Sequence, residues 1–238
     1  MNQSTTYIII PAFNEDPKIL YEVVSLFVKY QIIVVDDGSA IPVKEQFEGF
    51  EKLNNLFILR LNENVGQGGA LEAGVKLALE KGGEIFCTVD GDGQHEITSC
   101  EAIIDAFAVS DCDILLGSRF LDGHSKVPLV KKIFLKGGIL INYWYSGLLL
   151  QDAHCGLRVF GKAFANKLQF FNKRHAHASE IIWIINKYHF RYKEFPVKII
   201  YSAYSMQKGQ SVLNSFNILK DLVKHKFHRK SKAESKPL

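Results

Sequence analysis

Ile85-Phe86-Cys87-Thr88-Val89-Asp90-Gly91-Asp92-Gly93-Gln94-His95 is the stretch on which the fold turns. Its first half is a run of strand length with no alternation of apolar and polar residues. That pattern marks a strand buried on both faces, as in parallel sheets covered by helices. The run closes on two carboxylates around a glycine. Runs of the same character lie at Tyr7 to Pro11, Ile32 to Asp36, Leu56 to Leu61 and Asp113 to Gly117. Between them, Pro17 to Tyr30, Val43 to Leu53, Gly69 to Lys81 and Ile97 to Val109 carry apolar residues at helical spacing. The alternation predicts an α/β fold, a mostly parallel central sheet flanked by helices in a single domain.

After Gly117 the repeat breaks. The spacing there predicts a helix over Pro128 to Leu150, a short strand over Leu157 to Phe160 and a helix over Ser179 to Tyr188. Strands are expected at Tyr192 to Phe195 and Lys198 to Tyr201, and a last helix at Val212 to Lys226. The polar, basic residues from Phe227 onward are expected to be disordered.

A chain of 238 residues with 47% hydrophobic and 23% charged residues suits one soluble globular domain. The four cysteines show no paired or zinc-ligand spacing and read as buried thiols of a reducing compartment. No basic segment followed by an apolar run opens the chain, so a cytoplasmic location is expected. The apolar stretch Ile139 to Leu150 is well short of the roughly 20 residues that span a bilayer. The net charge of +4 gathers in a lysine-rich tail, Lys224 to Lys236, which predicts contact with an anionic membrane surface or a membrane subunit. Nucleic acid is a poor partner, because the basic residues lack interleaved aromatics and the expected groove is acidic.

Ligands of open α/β sheets bind outside the carboxyl ends of the strands. Three such ends are polar here: Pro11-Ala12-Phe13-Asn14-Glu15, Asp36-Asp37-Gly38-Ser39 and Asp90 to His95. The glycine between Asp90 and Asp92 lets both carboxylates face one hard cation, Mg²⁺ or Mn²⁺, with positions left for diphosphate oxygens. A solvated turn is the alternative reading. Gly66 and Gly69, ahead of a helix, would let backbone N–H groups approach phosphate, or simply make a tight connection. Arg119 after the fifth strand would hold a phosphate or a surface carboxylate. Lys131, Lys132 and Lys136 precede the Ile139 to Leu150 run in the manner of an interfacial helix or an ordinary amphipathic one.

Jointly these residues resemble the inverting family 2 glycosyltransferases of GT-A, Rossmann-like fold, in the dolichyl- or polyprenyl-phosphate sugar synthase-like branch. The resemblance runs from about Tyr7 to Phe216. It implies a nucleotide-sugar-binding half over 1–118 and an acceptor-side half over 119–226, with a tail over 227–238. It implies that Pro11, Phe13, Glu15 and Asp37 surround the base and ribose of a UDP- or GDP-sugar. Asp90, Asp92 and Gln94 would hold the metal and the donor diphosphate, and Arg119 would meet an acceptor or donor phosphate. Asp152 to Arg158 resembles the acceptor-side segment, and Lys208-Gly209-Gln210-Ser211 the loop over the donor diphosphate. Phe13, Gln67, Gly91 and Lys208 depart from the commoner Tyr, Lys, Ala and Arg.

The implied reaction is metal-dependent transfer with inversion to a lipid phosphate, which is already ionised and needs no protein base. A sugar-hydroxyl acceptor would need one, and Asp152 and Glu180 are the candidates. A nucleotidyltransferase would show a Gly-rich basic loop after the first strand, which Pro11 to Glu15 does not. A non-catalytic nucleotide-sugar-binding protein is a further alternative.

Overall fold

The buried runs all join one sheet. The computed structural model describes residues 5–121, 139–171 and 176–200, together with Val223 and Lys226. The chain runs β1 (Thr6–Ala12), α1 (Pro17–Ser25), β2 (Gln31–Asp36), α2 (Val43–Gln46), β3 (Leu56–Arg60), α3 (Gln67–Glu80), β4 (Ile85–Thr88), α4 (Ile97–Val109) and β5 (Ile114–Ser118). A helix described over residues 139–146 is α5. Then follow β6 (Arg158–Gly161), α6 (Lys162–Ala165), α7 (His177–Lys187) and β7 (Tyr192–Pro196). The seven strands lie in the order β3-β2-β1-β4-β6-β5-β7.

Every pairing is parallel except those of β6, which runs antiparallel to both β4 and β5. Its register sets Phe86 opposite Phe160 and Thr88 opposite Arg158. The alternation of side chains then makes two apolar layers. Ile8, Ile10, Ile32 and Val34 pack with Leu20 and Val24 of α1 and Ile103 and Ile104 of α4. Ile9, Ile33, Val35, Phe86 and Phe160 face Leu71 and Val75 of α3, Phe164 of α6 and Ile181 and Ile185 of α7.

Local signals explain the boundaries. Asp16 caps α1 by accepting from the N–H groups of Lys18 and Ile19 at 2.9 and 3.2 Å, with Pro17 in the first turn. α1 ends at Ser25 and α2 spans four residues, so both are shorter than the expected Pro17 to Tyr30 and Val43 to Leu53. Apolar residues continue past both ends, but Phe27, Phe47 and Leu53 reach the core from turns. β4 leaves the ladder at Thr88, so Val89 to Asp92 form a loop above it. α5 stops before Gly147, short of Leu150. Lys198 to Tyr201 contributes an isolated bridge, His95 to Ile199, among the described residues. The segments expected at 128–138 and 212–222, with Lys131, Lys132, Lys136, Lys208 and the tail 227–238, lie outside the described residues. No helix among the described residues is long and apolar enough to cross a membrane.

Gly74 brings α3 close against β1 and β2. A Cβ there would lie 2.6 Å from a methyl of Ile9 and 2.8 Å from one of Val35. Gly74→Val should therefore cost on the order of 1–3 kcal/mol in urea denaturation. An unchanged midpoint would show that the helix can lift from the sheet freely.

Candidate active site

The strand order reverses between β1 and β4, so their carboxyl ends flank a crevice. One wall is the turn after β2, built on two acidic residues with different tasks. Asp36 is fully buried and accepts from Ser39 N–H at 2.9 Å, Val43 N–H at 3.1 Å and the Arg60 guanidinium at 2.5 Å. Arg60 also donates to Ser39 O at 2.9 Å. Asp37 turns the other way, accepting from the N–H groups of Val65 and Gly66 at 2.8 Å each. Gly38, which follows them at φ +74°, passes so close to the 63–64 backbone that a side chain would not fit. Asn14 accepts from Ala40 N–H at 2.9 Å and its own N–H donates to Ser39 Oγ at 3.0 Å, joining the ends of β1 and β2. Phe13, 44% exposed, stands on this rim, with Pro11 and Glu15 half-buried beside it.

The opposite wall carries the carboxylate pair. Asp90 Oδ1 accepts from Gln67 Nε2 at 2.9 Å, and Oδ2 lies 3.2 Å from His95 Nε2. Burial opposes ionisation of Asp90, yet the His95 hydrogen bond and the charges of His95, Arg158 and His177 hold it below the usual carboxylate range. Asp92 moves up, through burial first and then the negative charges of Asp90 and Glu15. Three carboxylates thus share one crevice, and a cation between Asp90 and Asp92 would relieve the repulsion. Gln94 donates to both oxygens of Asp92, by backbone N–H at 3.1 Å and side-chain amide at 2.6 Å. In this structure it orients Asp92. Among the described residues no group of three or more His, Cys, Asp and Glu forms a metal cage. The site fits a cation taking two protein carboxylates and completing its shell from a ligand. Gly66 ends the loop that Asp37 grips, and Gly69 is buried in the first turn of α3.

The loop before β6 closes the far side. Thr88 Oγ1 donates to Gly156 O at 2.7 Å, and Gly156 packs so tightly on the Asp90 carboxylate that a Cβ would overlap it. Asp152, 3% exposed, grips Arg119 with both oxygens, at 2.5 Å to Nε and 2.6 Å to Nη2. Burial would raise Asp152, but these bonds and the Arg119 charge hold it low. Glu194 of β7 accepts from the N–H groups of Gln151 and Asp152. Glu180 is fully buried and accepts from Phe171 N–H at 2.6 Å. In this structure Asp152 is paired with a guanidinium, which weakens it as a base, and Glu180 is enclosed away from solvent.

Residues 7–168 match the family described as Glycosyl transferase family 2. The chain belongs to that family. It is 34% identical over 95% of its length to an uncharacterized protein of Methanocaldococcus jannaschii, covering 94% of it. It is 32% identical over 92% of its length to the UDP-N-acetylglucosamine–dolichyl-phosphate N-acetylglucosaminyltransferase of Methanococcus voltae, again covering 94%. Glucosyl-3-phosphoglycerate synthase of Mycobacterium tuberculosis, solved with Mn²⁺, UDP and phosphoglyceric acid, superimposes with a TM-score of 0.64 at 13% identity. That match covers 92% of this chain and 76% of the other. A mannosyltransferase of Pyrobaculum calidifontis, solved with GDP-Man and Mn²⁺, gives 0.55 at 16% identity over 99% and 77%. The fold is that of the GT-A glycosyltransferases, as the resemblance implied.

Arg60 and Glu194 escaped the sequence reading as parts of this crevice, and His95, Gln67 and Arg158 entered it only as members of longer motifs. A signal existed for Arg158, a charge inside a strand whose other residues are apolar.

His154 supplies a titration that can be measured. Burial lowers its pKa to about 4, aided by Arg119 and Arg158 and opposed by Asp152, while Asn142 Nδ2 lies 3.2 Å from its Nε2. The folded protein keeps His154 neutral, whereas the unfolded chain takes up a proton below its ordinary value of 6.5. Stability is therefore lost as pH falls from about 6.5 towards 4, by at most about 1.4 kcal/mol per pH unit from this group. Urea unfolding at pH 7, 6 and 5 should give a shallower fall for His154→Gln than for the parent. Parallel slopes would reject the assignment.

Proposed function

We propose that this family 2 glycosyltransferase moves a sugar from a UDP- or GDP-sugar to a polyprenyl or dolichyl phosphate, with inversion, using Mg²⁺ or Mn²⁺ on Asp90 and Asp92. The observation that carries the reading is the Asp90–Asp92 pair at the β1–β4 crevice, where burial and Asp90's charge raise Asp92. The metal, when bound, supplies positive charge to the departing nucleoside diphosphate. Gln67 and His95 hold Asp90, and Gln94 holds Asp92, so both carboxylates keep their aim during the reaction. Phe13 offers an exposed ring to the base, and Pro11, Glu15 and Asp37 frame the base and ribose. Gly66 and Gly69 let backbone reach the diphosphate, with Lys208 assigned to the same group from the sequence.

The acceptor follows from the carboxylates. With Asp152 committed to Arg119 and Glu180 enclosed, an acceptor that arrives ionised is favoured over a hydroxyl. Mn²⁺- and UDP-bound neighbours and a dolichyl-phosphate transferase among the relatives support the same reading. Incubation with radiolabelled UDP- and GDP-sugars, Mn²⁺ and a polyprenyl phosphate should yield a lipid-extractable sugar, reduced roughly 10²- to 10³-fold in Asp92→Asn. Transfer to a sugar hydroxyl alone, lost in Asp152→Asn, would replace the lipid-phosphate reading.

The exposed face of α5 supports a peripheral position on a membrane. Leu140, Tyr143 and Trp144, with Leu149 just beyond, point outward at 68, 52, 47 and 66% exposure. The Lys226 ammonium sits 3.8 Å from the Trp144 ring centroid. Trp144→Glu combined with Leu149→Glu should abolish sedimentation with vesicles containing anionic lipid. Undiminished pelleting would assign binding elsewhere.

A further inference from the structure

Arg158 lies in the middle of the sheet and is 3% exposed. It pairs with Thr88 of β4 on one side and Leu116 of β5 on the other. On its face of the sheet it follows the stacked Phe86–Phe160 pair, whose centroids are 5.8 Å apart, towards the crevice. The residues around it are those of the candidate site. Thr88 is two positions before Asp90, and Gly156, two positions before Arg158, is packed on the Asp90 carboxylate. Besides burial and the neighbouring Cys155 thiol, the groups acting on the guanidinium are Asp90 from one wall and Asp152 and Arg119 from the other.

Among the described residues its guanidinium makes no hydrogen bond or close ion pair. Asp90 is bonded to Gln67 and His95, and Asp152 to Arg119. A guanidinium has five N–H donors in a planar fork matched to phosphate and carboxylate. Its nitrogens keep slight access to the crevice, and a guanidinium this enclosed without an anion partner is a costly arrangement that an apolar residue in the same place would avoid. A ligand anion reaching the end of the β6 strand would supply the missing acceptors.

We propose that Arg158 is a phosphate-binding residue on the floor of the crevice, donating charge-assisted hydrogen bonds to an oxygen of a phosphate ester or diphosphate lodged between Asp90 and Asp152. This deepens the proposed function by naming where a phosphate is gripped between donor and acceptor sides. It stands on its own observation, however, and does not require turnover.

The test uses the full chain with calorimetric titration of three probes: inorganic pyrophosphate, UDP with Mn²⁺, and farnesyl phosphate, with farnesol as the uncharged control. Arg158→Gln should weaken phosphate-bearing probes roughly ten- to hundredfold, and Arg158→Lys less, while farnesol is unaffected. Weakening of pyrophosphate and UDP assigns the donor diphosphate as the source, and weakening of farnesyl phosphate alone assigns the acceptor. Affinities within twofold of the parent, in variants with unchanged circular dichroism and melting temperature, would overturn the proposal. Should both variants fail to fold, crystals of the parent protein with farnesyl phosphate and with UDP and Mn²⁺ decide it. A phosphate oxygen within about 3.2 Å of the guanidinium is expected, and none in either crystal overturns it. Absence of sugar transfer alongside intact, Arg158-dependent phosphate binding would count against the proposed function alone.

Discussion

The antiparallel pairing of β6 with β4 is the constraint on which the crevice depends. A sheet made only of parallel β-α units would place another strand's carboxyl end beside Asp90. Here the strand next to β4 arrives from the opposite direction, so its start meets the end of β4. Gly156, Leu157 and Arg158 are thereby carried against the acidic loop, and the chain ahead of them, with Asp152 and His154, becomes the second wall. Thr88 fixes the junction through its bond to Gly156 O, and the absence of a side chain at Gly156 lets the backbone touch Asp90.

The two halves of the site are built by different means. On the β1–β2 side, short loops at strand ends are fastened to one another: Asn14 to Ala40, Asp36 to Arg60, and Asp37 to the two N–H groups ahead of α3. Each fastening spans two β-α units, so the rim inherits the rigidity of the sheet. The β6 side relies on long-range polar contacts between segments of less regular structure. Arg119 after β5 meets Asp152 before β6, Glu194 on β7 grips the same loop, and Asn142 of α5 meets His154. These contacts link residues 33 to 42 positions apart in the first two cases, which no local pattern encodes.

That contrast explains how much the sequence could show. The first five strands and α4 were legible because buried parallel strands declare themselves as unbroken apolar runs, and the Asp90–Asp92 pair because its position at a strand end is itself the signal. The direction of β6 was not legible, since Leu157 to Phe160 reads the same in either orientation. Helix lengths failed where apolar residues continued into turns, as at Phe27 and Phe47. The hydrogen-bond partners of Asp152, Glu180 and Gln94 were not legible either. A carboxylate or amide in sequence does not reveal whether its partner will be a ligand, an arginine or another carboxylate.

Asp92's upward shift also has a consequence for stability. A carboxyl that resists ionisation in the folded state subtracts from stability at neutral pH, because the unfolded chain lets it ionise without penalty. Selection for robustness alone would favour an amide or a small residue at that position. The acid at this position therefore lowers folding free energy relative to an amide, a loss that a bound cation would offset by favouring the ionised form.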